Sequence, residues 1–247
     1  MTLTAFFAAH PRAALAFSGG ADSAYLLYEA KRHGCDVRPY YVKTSFQPAF
    51  ELRDAERLCR ELGAELTVLP LDILALDCVR ENPADRCAHC KRAIFSAILA
   101  AAKRDGYTLL LDGSNADDDP ADRPGMAAAE KLGVLSPLRL CGVTKATLRE
   151  KSREAGLFTW DKPAYACLAT RIPAGTAIAA ETLRTVEQAE ERLRGMGFRD
   201  LRVRMREGHA LLQFAAEELE GARAQWAGIE RELSPLIPAL KLDPQGR

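Results

Sequence analysis

Cys87 and Cys90 stand three residues apart in the stretch RCAHCK, and Cys167 lies in ACLATR much further along the chain. Cysteines at this spacing can form a disulfide, half of a zinc site, part of an iron–sulfur site, or two ordinary buried thiols. Pro83 and Asp85 suit a helix entry, which would put Cys87 and Cys90 on one face of a first turn, where the helix N-terminus stabilises thiolates. His89 between them is badly placed for the same ion, and zinc normally takes four protein ligands. A disulfide here would be reduced in a cytosol. Cys35, Cys59, Cys78 and Cys141 fall in apolar or helical patterns and read as structural thiols.

A second chemical signal is SGGADS at residues 18–23, between the apolar run AALAF and a helical pattern. Gly19 and Gly20 let the backbone curl so that successive N–H groups face an anion. The helix N-terminus adds partial positive charge, and the hydroxyls of Ser18 and Ser23 add donors. Asp22 beside a bare phosphate would be unfavourable, but it makes sense with Mg²⁺ bridging to pyrophosphate oxygens. The loop is neither GxxxxGK[ST] nor GxGxxG.

A third signal is LRVRMRE, which alternates Arg202, Arg204 and Arg206 with Leu201, Val203 and Met205 on a strand. Such a row is either a solvated face or a fork for phosphate.

These residues need a scaffold. Strand-like runs at 13–17, 37–44, 64–72 and 107–113 alternate with helical patterns, which implies α/β architecture with a parallel sheet wrapped on both faces. Ligands in such sheets sit beyond the carboxyl ends of the strands. Residues 114–175 are rich in Asp, Pro and Gly, and one helix stands out at 144–156, with Thr144 as N-cap. After 176 a helix, two strands and a further helix suggest a small α+β domain, so the expected division is 1–175 and 176–247.

The composition is that of a soluble globular protein, with 48% hydrophobic and 28% charged residues. Lys plus Arg and Asp plus Glu number 34 each, so net charge gives no case for a nucleic-acid partner. No stretch is long enough to span a membrane, and the first 17 residues lack a basic leader, which points to the cytoplasm.

SGGADS resembles the SGGxDS signature of the PP-loop (N-type) ATP pyrophosphatases. NPADRCAHCK, DGSNADDDPADRPGMAAAEKLGVLSPL, VTKATLREKSREAGL, WDKPAYACLATRIPAG and LRVRMREG narrow the likeness to the LarE-type ATP-dependent sulfur transferases over nearly the whole chain. The resemblance implies a PP-loop (adenine nucleotide alpha hydrolase-like) fold. It also implies adenylation of a carboxylate of a pyridinium-3,5-dicarboxylate mononucleotide, pyrophosphate release and sulfur insertion, on the way to the nickel-pincer nucleotide of lactate racemase. ATP and Mg²⁺ are the implied cofactors, and inorganic sulfide or a sulfur-donor protein and a homo-oligomeric assembly the implied partners.

Cys167 is the implied sulfur-handling residue. Some members sacrifice its sulfur, while others hold a [4Fe-4S] cluster on three cysteines, here Cys87, Cys90 and Cys167. Three thiolates on four irons leave one iron open for a transferable sulfide, which favours the cluster for this chain. The resemblance assigns Arg202 and Arg204 to the substrate phosphate. The family often has histidine at the position of Arg206 and serine at that of Thr170. Arg171 is a further candidate for a phosphate or the adenylate, and Glu190, with Glu187 and Glu191 as rivals, for a metal-associated carboxylate. Gly113 would allow close approach to ATP, with Asp117 and Asp118 orienting nearby loops. A PP-loop tRNA thiolation enzyme is the alternative.

Overall fold

The computed structural model describes residues 1–119 and 124–247. They form two compact units, Met1–Ile73 with Asp85–Ala164, and Leu74–Ala84 with Tyr165–Arg247.

In chain order the first unit begins with α1 (Leu3–Ala9), β1 (Arg12–Ala16), α2 (Ala21–Arg32), β2 (Asp36–Lys43), α3 (Ala49–Glu61) and β3 (Thr67–Pro70). After an excursion that contains α4 (Asp77–Arg80), it resumes with α5 (Arg86–Arg104), β4 (Leu110–Leu111), α6 (Pro124–Lys131), α7 (Pro137–Leu140) and α8 (Lys145–Glu154). The four strands are parallel in the order β3-β2-β1-β4. Both faces of the sheet are covered, so β1 reads as an unbroken apolar run with Ala13, Ala14 and Leu15 fully buried. Leu15 and Tyr41 join a core with Leu26 and Leu27 of α2, Leu58 of α3 and Leu148 of α8. Ala14, Tyr40 and Val42 join a second core with Phe95 and Ile98 of α5. The expected strand at 107–113 shrinks to two residues, because only Leu110 and Leu111 pair with β1. The stretch expected to be irregular carries α6, α7 and a 3₁₀ turn at Leu168–Arg171 besides α8.

The second unit contains α4, then α9 (Ala180–Gly195), β5 (Leu201–Arg206), β6 (His209–Phe214), α10 (Leu219–Ala224), α11 (Trp226–Leu233) and β7 (Leu240–Leu242). β5 and β6 form an antiparallel hairpin that turns at Gly208 (φ +73°), and β7 pairs parallel to β6. Leu183, Val186, Ala189 and Leu193 recur at helical spacing on the buried face of α9, which packs on β5. The single helix expected after β6 is broken at Gln225 into α10 and α11.

The segment Leu74–Ala84 belongs to this unit because Asn82 clasps it there. Asn82 is buried at φ 55°; its Nδ2 donates to the Pro173 carbonyl at 2.7 Å, and its own carbonyl accepts from Gly175 N–H at 2.8 Å.

Candidate functional site

The order of the first sheet reverses at β1, where the chain continues outward to β2 on one side and later arrives at β4 on the other. Loops part at such a point and leave a crevice for a ligand. The Ser18–Ser23 loop leaves β1 there, and Gly113 follows β4. Gly19 sits at φ +71°, and a Cβ on it would lie 3.1 Å from that of Ala55 and 3.2 Å from the Glu51 carbonyl oxygen. Glycine is required on both counts. Ser23 Oγ accepts from Ser18 N–H at 3.3 Å and donates to the Gly20 carbonyl at 3.2 Å, while Gly20 N–H donates to Ser18 Oγ at 3.3 Å. A Cβ on Gly113 would lie 2.9 Å from Ser23 N, so the loop after β4 presses directly on the first turn of α2.

Asp22 is engaged by two residues that no motif in the sequence marks, Asn115 and Lys145. Asn115 Nδ2 donates to its Oδ1 at 2.7 Å, and Lys145 Nζ to its Oδ2 at 2.5 Å. Lys145 opens α8, and its backbone N–H donates to Asp117 Oδ2 at 2.6 Å. A cation in a first helical turn opposes the helix dipole, and this was the one local sign that Lys145 had other work. Asp118 Oδ2 accepts from Asn115 N–H at 3.1 Å, so both acidic residues of SNADD shape the loop.

In the second unit Arg171 and Glu190 are both completely buried. Arg171 Nε and Nη2 donate to the two Glu190 oxygens at 2.7 and 3.2 Å. Glu190 also accepts from Tyr165 Oη at 2.6 Å, Arg194 at 3.2 Å and Val203 N–H at 3.1 Å. Burial disfavours charge on the Arg171 guanidinium, but Glu190, Tyr165 and Cys167 outweigh it and raise its pKa. Burial and Glu190 together push the Tyr165 hydroxyl up. Expected as a phosphate cation and a metal carboxylate, Arg171 and Glu190 are here each other's partners, without an exposed oxygen or guanidinium edge.

Cys167 immediately precedes the 3₁₀ turn that carries Arg171. Arg171 Nη1 donates to the Ala166 carbonyl and to Thr170 Oγ1, both at 2.9 Å, so the ion pair also fixes the cysteine loop. Arg204 Nη1 donates to the Thr170 carbonyl at 3.1 Å, and its Nε is held by Gln213. Arg202 is half-buried, and its side chain has no hydrogen-bond or ion-pair partner among the described residues. Burial, Arg171 and Arg204 lower its pKa; burial, Arg206 and Arg171 lower that of Arg204. A neighbouring like charge disfavours the charged form, and burial adds to it. Arg206 is exposed and donates to its own Met205 carbonyl.

Cys87 and Cys90 lie in the first turn of α5, exposed and half-exposed, with Arg86 Nη2 donating to Cys87 Sγ at 3.4 Å. His89 is turned to Asp85 at 3.1 Å. Cys167 is likewise half-exposed. Among the described residues no three His, Cys, Asp or Glu side chains gather about one point. Burial pushes the Cys35 and Cys59 thiols up to about 11 and about 12, as befits core residues, but Cys78 is exposed rather than a core thiol.

A parallel sheet of this order, with an SGGADS loop at its reversal, makes the first unit a PP-loop-type α/β domain. No family model matches the chain. It is 34% identical over 221 residues to an uncharacterized protein of Synechocystis, covering 88% of this chain and 82% of the relative. It is 32% identical over 205 residues to the pyridinium-3,5-bisthiocarboxylic acid mononucleotide synthase of Lactiplantibacillus plantarum, covering 82% and 74%. An uncharacterized protein of Methanocaldococcus jannaschii is 30% identical over 193 residues, covering 77% and 72%. The chain belongs to the LarE-type sulfur transferase family. No helix among the described residues is long and apolar enough to cross a membrane.

Proposed function

We propose that the chain adenylates a carboxylate of pyridinium-3,5-dicarboxylate mononucleotide with ATP and replaces an oxygen of that carboxylate by sulfur. The observation that carries this reading is the loop at the reversal of the sheet, where Ser18, the two glycines and Ser23 form a cradle with Asp22 at its rim. The L. plantarum relative is named for the bisthiocarboxylic product of such chemistry. In the first step a carboxylate oxygen attacks the α-phosphorus, and pyrophosphate leaves. In the second, sulfide sulfur attacks the acyl carbon; AMP departs with the carboxylate oxygen and the sulfide loses its proton. The acyl phosphate makes a poor leaving oxygen a good one.

Mg²⁺ keeps several waters and is commonly held by one or two carboxylates plus phosphates, so Asp22 alone fits an ion that arrives with ATP. When bound, it would neutralise charge on the phosphate oxygens. Arg202 and Arg204 hold the phosphate of the mononucleotide. Arg202→Ala removes a half-buried cation with no protein partner, and the loss of a charge-assisted hydrogen bond is worth about 1.5–3 kcal/mol. KM for the mononucleotide should rise roughly 10- to 100-fold with little change in kcat, as steady-state pyrophosphate release would show. An unchanged KM would remove Arg202 from the site.

For the sulfur we propose Cys87, Cys90 and Cys167 as ligands of a [4Fe-4S] cluster, whose open iron would carry a sulfide. The donor set fits, three thiolates being iron–sulfur ligands. Anaerobic reconstitution should give broad visible absorption and about four irons per chain, with Cys87→Ala abolishing both. If Cys167 instead emerges from turnover lighter by one H₂S in the mass spectrum, the sacrificial route holds and the cluster does not. The protein works in the cytoplasm as a homo-oligomer, with sulfide or a sulfur-donor protein as its supply.

A further inference from the structure

Lys162 stands in the first unit, between α8 and the end of that unit at Ala164, and the nucleotide chemistry above gives it no role. Its ammonium is mostly buried and donates at 2.7 Å to Asp54 Oδ2 on α3 and at 3.3 Å to the carbonyl oxygen of Gly19. The Phe50 ring centroid lies 5.4 Å away. At its other end Lys162 is fixed through its backbone: N–H donates to the Thr159 carbonyl at 3.2 Å, and its carbonyl accepts from Arg149 Nη2 of α8 at 3.1 Å.

The choice of Gly19 as acceptor matters. In a trans peptide the carbonyl of one residue and the N–H of the next point to opposite sides. Turning the Gly19 carbonyl toward Lys162 therefore turns the Gly20 N–H the other way, into the cradle, where Ser18 Oγ accepts it. Two glycines in a row leave that peptide free to rotate, so the loop's own sequence does not fix its orientation. The Lys162–Gly19 bond, at 3.3 Å, is as long as the bonds within the loop, at 3.1 to 3.3 Å, but the 2.7 Å pair with Asp54 anchors its ammonium from outside the loop.

We propose that Lys162 is a positioning residue for the phosphate loop: it locks the Gly19–Gly20 peptide so that the Gly20 N–H faces a nucleotide phosphate, without itself touching the nucleotide. The inference rests on the reading of that loop as a nucleotide cradle.

The test uses the full chain, with Lys162→Met, Lys162→Arg and Asp54→Asn. Binding of Mg·ATP and of adenosine is measured by calorimetry, and the Gly20 amide is followed by ¹H–¹⁵N NMR. Lys162→Met should weaken Mg·ATP about tenfold or more, the scale of a lost charge-assisted hydrogen bond. It should leave adenosine, which has no phosphate, unchanged, and it should move the Gly20 resonance. Lys162→Arg keeps donors at this position and should stay within threefold of wild type. Equal losses for Mg·ATP and adenosine would mean general loosening and overturn the proposal, as would unchanged Mg·ATP affinity. If wild-type protein binds neither ligand, the nucleotide reading fails, and an unmoved Gly20 resonance in Lys162→Met then overturns the locking separately. Should Lys162→Met not fold, Asp54→Asn frees the ammonium from α3 and should weaken Mg·ATP about threefold; wild-type affinity there counts against the lock.

Discussion

Asp22→Asn is expected to lower ATP-dependent pyrophosphate release on the order of 10²- to 10³-fold, the usual cost of losing one electrostatic contribution at a reacting centre, here the carboxylate that would hold Mg²⁺ against the phosphates. The carboxylate sits in the first turn of α2, with one oxygen on Asn115 and the other on Lys145. Asparagine is the same size, so packing is retained. It carries no charge, and it turns one of the two acceptors into an amide donor, facing either the Lys145 ammonium or the Asn115 amide. Stability should fall little, because Asp22 and Lys145 are each about one-third exposed and such a pair contributes about 1 kcal/mol or less. A large loss of turnover with a small loss of stability is therefore the signature of Asp22 acting through Mg²⁺ on the phosphates. Iron uptake at the cysteines should be unaffected. Pyrophosphate release at the wild-type rate would mean that the loop at residues 18–23 does not serve ATP.

What the sequence revealed, and what it hid, follows from how local each feature is. Ser18–Ser23 was legible because a glycine pair, two hydroxyls and a helix start lie within six residues and need no distant partner to suggest an anion. The strand β5 was legible for the same reason: Leu201 and Val203 are buried, while Arg202 and Arg204 alternate with them. Lys145 and Lys162 escaped because their acceptors on the loop are 123 and 143 residues away. A helical pattern offers Glu190 as a metal-associated carboxylate beside Glu187 and Glu191, but it cannot show that Arg171 from another segment pairs with it. The segment Leu74–Ala84 joins the second unit through Asn82 in a left-handed conformation that asparagine tolerates and that no periodicity announces.

The same buried pair sets the second large expectation. Glu190→Ala should destabilise the second unit by about 3–5 kcal/mol, because removing one member of a buried ion pair strands the other without solvent or counter-charge. For a chain of this size that is roughly a 6–20 °C fall in the melting temperature of the transition involving this unit. The stranded group would be Arg171, whose Nη1 holds the Ala166 carbonyl and Thr170 Oγ1, so the loop bearing Cys167 should loosen with it. Faster alkylation of Cys167 in the variant would report that loosening directly. Converting both residues to methionine removes the charge that alanine leaves behind, and should recover most of the lost stability. A metal-binding Glu190 predicts the opposite pattern: the isosteric Glu190→Gln would lose bound metal while its melting temperature held, and the double methionine variant would be no better than the single one. The buried oxygens of Glu190, already taking hydrogen bonds from Arg171, Tyr165, Arg194 and Val203, favour the first outcome.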